Sequence, residues 1–334
     1  MAMPTVTLTR KDFASDQTVR WCPGCGDYAI LATVQKTFAR FGWPREKFVI
    51  ISGIGCSSRF PYYMNVYGFH TIHGRAPTVA TGVKLANPDL SVWVVTGDGD
   101  GFSIGGNHLL HAARRNIDIN VLLFNNAIYG LTKGQLSPTS PQGMRTKSSP
   151  YGSVEPPVNP MALMLASGAT FVARTVDVFQ GHMGEMMYQA GLHKGFAFIE
   201  ILQNCVIFNH GMWFSYTERD RRHDHIVYLE PGKPMLFGKN HEKGLVFRDG
   251  HFYPVALGDA YTEADVAVHD PTSLTQAFAL AQLRDPLPLG VFYQVRHPTY
   301  EEATYHQIEE VKKQKEGPGR LSDLFHSGDT WVVT

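Results

Sequence analysis

The sequence specifies an α/β protein built on a mostly parallel sheet. Short, continuous apolar runs alternate with segments of helical spacing between residues 27 and 202. The runs are apolar at nearly every position, as strands covered on both faces are. The glycine-, cysteine- and asparagine-rich stretches fall just after these runs, at the strand ends where parallel sheets bind ligands.

In chain order, 27–41 (DYAILATVQKTFARF) spaces its apolar residues as an amphipathic helix. Residues 48–52 (FVIIS) read as a buried strand ending at Gly53, and 69–72 as a further short strand. Residues 78–86 (TVATGVKLA) read as a helix stopped near Asn87-Pro88. Strand 91–96 (SVWVVT), helix 103–115 (SIGGNHLLHAARR) and strand 119–124 (INVLLF) follow. Residues 132–160, rich in Ser, Thr, Pro and Gly, form a long loop of the kind that often carries function. A helix at 160–168 and a strand at 196–202 (FAFIEIL) close the regular part. From Gly211 the alternation fades. A charge run at 217–225 reads as a solvated face, and 272–283 and 300–315 as helices. The organisation expected is a domain over 1–210 and a C-terminal extension over 211–334, packed on that domain or on a partner.

Lys+Arg and Asp+Glu both total 30, so formal charge is zero. No bulk charge points to nucleic acid or an anionic membrane surface. The polar N-terminus lacks an apolar signal segment, and no long apolar run marks a membrane span. The expected location is the cytoplasm. In that reducing compartment the four cysteines, Cys22, Cys25, Cys56 and Cys205, are poor disulfide partners.

Residues 97–101 read GDGDG after one strand, and Asn125-Asn126 follows the next. Mg²⁺ takes oxygen ligands and keeps phosphate oxygens and water among them. Asp98, the Asn126 amide oxygen and the Ile128 carbonyl could supply the protein half, while Gly97 and Gly99 let backbone N–H groups approach a diphosphate. A dinucleotide fingerprint fails, because its third glycine falls on Phe102 or Ile104. The remaining alternative is a glycine-rich turn without a ligand.

Cys22 and Cys25 form a CxxC unit, and Cys56 and Cys205 stand alone. By spacing, four thiolates suit either a [4Fe–4S] cluster or a tetrahedral zinc. A redox CxxC pair is weaker, since no strand precedes it. Position favours the cluster: Cys56 follows a strand whose end should face the cofactor, where an electron acceptor is useful and a structural zinc is not.

WCPGCGDYAIL, GIGCSSRFPYY, HTIHGRAPTVATGVKLANP, VVTGDGDGFSIGGNHLLHAARRN, FNNAIYGLTKGQLSPTS and ILQNCVIFNH occur in this order. Together they resemble the β subunit of 2-oxoacid:ferredoxin oxidoreductases, strongly over 18–210. The later chain, with SGDTW at 327–331, looks more like the 2-oxoglutarate type. The resemblance implies a three-layer α/β/α thiamine-diphosphate-binding fold plus a C-terminal extension. It implies one [4Fe–4S] cluster on Cys22, Cys25, Cys56 and Cys205, and Mg²⁺ on Asp98, Asn126 and the Ile128 carbonyl. Ile54, Gly55, Cys56, Ser57, His73, Gly97, Gly99, Asp100, Gly130 and Leu131 match stretches that contact thiamine diphosphate. The segment 131–133 matches one near the substrate and coenzyme A entrance.

The activity so implied is coenzyme-A-dependent oxidative decarboxylation of a 2-oxoacid, reversible as reductive carboxylation, with electrons passing to ferredoxin. 2-Oxoglutarate is the expected substrate, and pyruvate or another 2-oxoacid the alternative. The glutamate that the aminopyrimidine ring needs is assigned to a separate α subunit, so an (αβ)₂ assembly is expected and the chain alone should be inactive. Two rivals stand outside this reading: a non-redox thiamine enzyme half, and a zinc-stabilised non-catalytic subunit.

Three side chains are candidates for catalysis. His73 is either a cofactor contact or a histidine satisfying backbone. Arg75 offers a planar guanidinium to a substrate carboxylate or to a structural ion pair, and Arg59 is similar. Lys133 could attract a coenzyme A phosphate. His108 and His111, three apart on a helix, read as ordinary helix histidines in the absence of a further ligand motif.

Overall fold

The computed structural model describes residues 6–314 and 319–333. The elements run α1 Asp27–Arg40, β1 Phe48–Ser52, β2 Tyr67–His70, α2 Ala76–Ala86, β3 Ser91–Gly97, α3 Gly106–Arg114, β4 Asn120–Asn125, α4 Pro160–Ala166, β5 Phe171–Val176, α5 Gln180–Leu192 and β6 Ala197–Leu202. The later elements are α6 Phe214–Thr217, α7 Arg222–His225, β7 Ile226–Leu229, β8 Leu236–Phe237, β9 Lys243–Arg248, β10 His251–Ala256, α8 Leu274–Gln282, β11 Leu287–Gln294, α9 Tyr300–Gln314 and α10 Leu321–Phe325.

Eight strands form one sheet in the order β2-β1-β3-β4-β6-β5-β11-β7. Every neighbouring pair is parallel except β11 with β5, which is antiparallel. Because side chains alternate across a strand, each central strand feeds two cores. On one face Val49, Ile51, Val94, Val121, Leu123 and Phe198 pack with residues of α2, α3, α4 and α8. On the other, Phe48, Ile50, Trp93, Val95, Leu122 and Ile199 pack with α1 and α5. The result is the three-layer α/β/α arrangement. β8, β9 and β10 form a separate antiparallel sheet.

Helix α1 buries Ile30, Leu31, Val34 and Phe38 along one stripe and stops where Gly42 turns at φ +66°. Asp27 opens it, where the helix dipole favours a carboxylate. Helix α2 starts earlier than its apolar spacing suggested, because Pro77 suits a first turn. The helix expected over 103–115 is interrupted: a π turn spans Asp100–Ile104, Ser103 is non-helical, and α3 begins at Gly106. The strand expected at 69–72 lies two residues earlier, at Tyr67–His70.

Residues 211–334 supply β7 and β11 to the main sheet, the small antiparallel sheet, and α8, which packs in the first core. Residue 315 of the expected last helix, and the first five residues of the polar N-terminus, lie outside the described residues. No helix among the described residues is long and apolar enough to cross a membrane.

Candidate active site

Strands β1, β3, β4 and β6 are consecutive neighbours in the sheet. Their carboxyl ends therefore place four loops side by side: 53–58, 97–101, 125–129 and 203–205. The first three line a cavity of about 530 Å³. It is lined by Ile54, Gly55, Cys56, Ser57, His73, Gly97, Asp98, Gly99, Asp100, Asn126, Ile128, Gly130 and Leu131, all expected at the site, and also by Asp27, Tyr129 and Gln135. Arg75 and Lys133 do not line it. Arg75 instead directs Nη1 to His108 Nε2, 2.6 Å away. Lys133 stands on the exposed loop beside the mouth, held at φ +76°.

Asp100 is the internal brace. Its Oδ1 accepts from Ile54 N at 3.0 Å, Gly74 N at 2.7 Å and His73 Nδ1 at 2.7 Å. Its Oδ2 accepts from Thr96 Oγ1 at 2.6 Å. One carboxylate thus joins the loops after β1, β2 and β3. A methyl group on Gly53 would sit 2.1 Å from Asp100 Oδ2, so only glycine admits this approach. His73 turns Nδ1 to Asp100, which leaves Nε2 as its other ring nitrogen.

Asp98 is 2% exposed. Burial pushes its carboxyl up to about 6, against hydrogen bonds from Ser137 and Thr139. Ser137 Oγ lies 2.5 Å and Thr139 Oγ1 2.6 Å from Asp98 Oδ2. Asn125 Oδ1 accepts from Ala127 N at 3.2 Å, and Ala127 adopts φ +55°. Asn126 Oδ1 accepts from Ile128 N at 3.1 Å, and its Nδ2 donates to Gln203 Oε1 at 2.9 Å. Tyr129 donates to the Gly99 carbonyl at 3.0 Å, and a Gly99 methyl would stand 2.2 Å from its ring.

The cysteines gather beside this cavity. Gly130 lies between Cys56 and Cys205: a methyl group there would be 3.5 Å from either Sγ. Cys25 Sγ accepts from Gln203 Nε2 at 3.3 Å. Burial, then the Asp27 carboxylate, pushes the Cys56 thiol up to about 12 and the Cys25 thiol up as well. Asp27 itself is pushed up to about 7 by burial. Among the described residues, no three His, Cys, Asp or Glu side chains converge closely enough to hold a single metal ion. Four thiols gathered here are the donor chemistry that an iron–sulfur cluster takes, and position 130, a glycine, puts no side chain between Cys56 and Cys205. Asp98, the half-free Asn126 oxygen and the glycine backbone are likewise the donor set a magnesium diphosphate requires.

Sequence reasoning missed Asp27, Ser137, Thr139 and Gln203. Ser137 and Thr139 lie in the long loop flagged for function, and Gln203 lies two residues before Cys205 in the late motif. The signal was present, but nothing in the spacing said which polar side chains point inward.

Residues 53–201 match the family model of the thiamine pyrophosphate enzyme C-terminal TPP-binding domain. Residues 259–309 match the model for the C-terminal region of the pyruvate ferredoxin oxidoreductase β chain. The chain is 49% identical over 330 residues to the 2-oxoglutarate oxidoreductase subunit KorB of Mycobacterium tuberculosis, covering 97% of this chain and 88% of that protein. It is 44% identical to the β subunit of 2-oxoacid:ferredoxin oxidoreductase 1 of Aeropyrum pernix, covering 79% of this chain and 85% of that one. A solved structure of 2-oxoglutarate:ferredoxin oxidoreductase from Magnetococcus marinus, with 2-oxoglutarate, coenzyme A and succinyl-CoA bound, superimposes with TM-score 0.76 at 34% identity, covering 98% of this chain and 99% of the matched chain. The strand-end glycine, asparagine and cysteine loops, and relatives aligned along nearly the whole chain, lead to one conclusion: this chain belongs to the β subunits of the 2-oxoacid:ferredoxin oxidoreductases, enzymes of the thiamine-diphosphate fold.

Proposed function

We propose that this chain, joined to an α subunit, performs coenzyme-A-dependent oxidative decarboxylation of 2-oxoglutarate and delivers the electrons through one [4Fe–4S] cluster to ferredoxin. The observation that carries the reading is the shared wall. Cys56 lines the same cavity as Asp98 and Asn126, and Gly130 lies between it and Cys205, a methyl group there standing 3.5 Å from both sulfurs.

In this reading Asp98, Asn126 and the Ile128 carbonyl hold Mg²⁺, and Cys22, Cys25, Cys56 and Cys205 hold the cluster. Thiamine diphosphate supplies the electron sink that decarboxylation requires, and the cluster a one-electron acceptor beside it. The chain's own residues do the rest. Asp100 fixes the loops that shape the cavity and orients His73, whose Nε2 can hold a proton near the reacting centre. Ile54, Gly55, Ser57, Gly97, Gly99, Gly130 and Leu131 provide the cofactor's walls. Cys25 and Cys56, whose thiols burial pushes up, would have to give up their protons to hold a cluster. In the same reading Lys133, on the exposed loop, meets a coenzyme A phosphate, whereas Arg75, turned to His108 outside the cavity lining, is given no substrate contact.

The test is anaerobic co-expression with the partner subunit, followed by iron analysis and coenzyme-A-dependent reduction of a low-potential dye. Preference for 2-oxoglutarate over pyruvate is the expected result. Preference for pyruvate would retain the chemistry and overturn the substrate. Protein without iron would overturn the cluster.

A further inference from the structure

We propose that Gln203 is a positioning residue that links the diphosphate-metal site to the thiol site, acting on both through one side-chain amide. The inference rests on the magnesium and cluster reading above.

Gln203 follows β6 directly and is 1% exposed. Its Nε2 donates to Cys25 Sγ at 3.3 Å and to the Asn204 carbonyl at 2.7 Å. Its Oε1 accepts from Asn126 Nδ2 at 2.9 Å. Both amide protons and the amide oxygen are thereby engaged, and the orientation of the amide is determined. Flipped, it would set nitrogen against the Asn126 nitrogen and oxygen against the Asn204 oxygen.

Two consequences follow. Gln203 takes the Asn126 nitrogen, so the Asn126 oxygen is presented to the opposite side, where Ile128 N uses one lone pair and leaves the other for a cation. Groups that orient a metal ligand in this way typically alter metal affinity by roughly 10–100-fold when removed. On the other side, an N–H donated to a cluster sulfur withdraws electron density and stabilises the reduced cluster, raising its potential. A buried glutamine that only satisfied backbone would affect stability and leave both quantities alone.

The experiment uses the complex purified anaerobically with its partner subunit. The cluster midpoint potential is read by a redox titration followed by electron paramagnetic resonance. The magnesium requirement is read from thiamine diphosphate binding at graded Mg²⁺. Gln203→Met removes both links, and the expected result is a more negative potential together with a roughly 10–100-fold higher magnesium requirement. Gln203→Glu keeps the acceptor for Asn126 but offers no N–H to Cys25. It should hold the magnesium requirement near wild type while the potential still falls. Either quantity at its wild-type value in an iron-loaded Gln203→Met complex overturns the coupling. Should that variant fail to load iron, Gln203→Glu decides: an unchanged potential overturns the proposal and a selective fall supports it. A wild-type complex without iron would sink the cluster reading itself, and this inference with it.

Discussion

Replacing Asp100 tests how the cavity is held together. Asp100→Ala removes the acceptor of three N–H groups, from Ile54, His73 and Gly74, and of the Thr96 hydroxyl. A buried donor left without a partner costs about 1–3 kcal/mol. Gly74 is buried, while Ile54 and His73 are partly open and can recover water. The expected loss is therefore about 3–6 kcal/mol. Asp100→Asn differs in kind. Its amide oxygen can keep all three N–H bonds, and its NH₂ can donate to the Thr96 oxygen, whose own proton turns to the Gly97 carbonyl at 3.3 Å. What is lost is charge assistance, about 1 kcal/mol per bond, or about 2–3 kcal/mol in all. Urea unfolding followed by tryptophan fluorescence gives both values. Thiamine diphosphate titration should rank the variants in the same order, since both act through the shape of the same loops. The reasoning fails if the alanine variant is as stable as the asparagine one, because the three-donor acceptor would then carry no weight.

Further outcomes follow from other parts of the molecule. Gly99→Ala places a methyl group 2.2 Å from the Tyr129 ring and must displace it from the Gly99 carbonyl. Thiamine diphosphate affinity should drop about tenfold, and equal affinity by calorimetry would refute the close approach. Arg174 and Glu200 form a buried pair at 2.6 Å, and Glu200 also accepts from Asn125 at 2.8 Å. Glu200→Leu should cost about 3–5 kcal/mol, and adding Arg174→Met should restore all but about 1 kcal/mol. A thermodynamic cycle without that recovery would contradict the pairing. Burial lowers the His182 pKa from 6.5 to about 4, and His193 behaves alike. The unfolded chain therefore binds more protons in this range, and stability falls as pH drops from about 6.5 to about 4, by at most about 3 kcal/mol for His182. The penalty is absent above about pH 7. His182→Gln should flatten the decline, and an unchanged slope of stability against pH would show that His182 is not held neutral.

The limits of the sequence reading have particular causes. Strand β5 went unseen because Arg174 interrupts its apolar run, FVARTV, although the arginine is buried against Glu200. Helix α5, QGHMGEMMYQAGL, buries three methionines among glycines and has little polar contrast to reveal its period. Strand β11 contains Pro288 and Gly290, which weaken a strand signal, yet it lies between β5 and β7. Its partners are more than fifty residues away in the chain, and no local pattern encodes such a pairing.

What the sequence determined by itself was chemical type and local form: apolar runs that must be buried strands, a GDGDG turn and a double asparagine just after two of them, and four thiols. These follow from side-chain chemistry and short spacing, which fold geometry cannot change. Only the tertiary structure decided which polar groups meet. The order β2-β1-β3-β4-β6 sets the strand-end loops edge to edge, so Asp100 can brace those after β1, β2 and β3 and Gln203 can stand between Asn126 and Cys25. It also turned Arg75 toward His108 and away from the cavity wall. Hydrogen bonds act only within about 3.5 Å and at set angles, so partners distant in the chain become partners only once the sheet has set their separation.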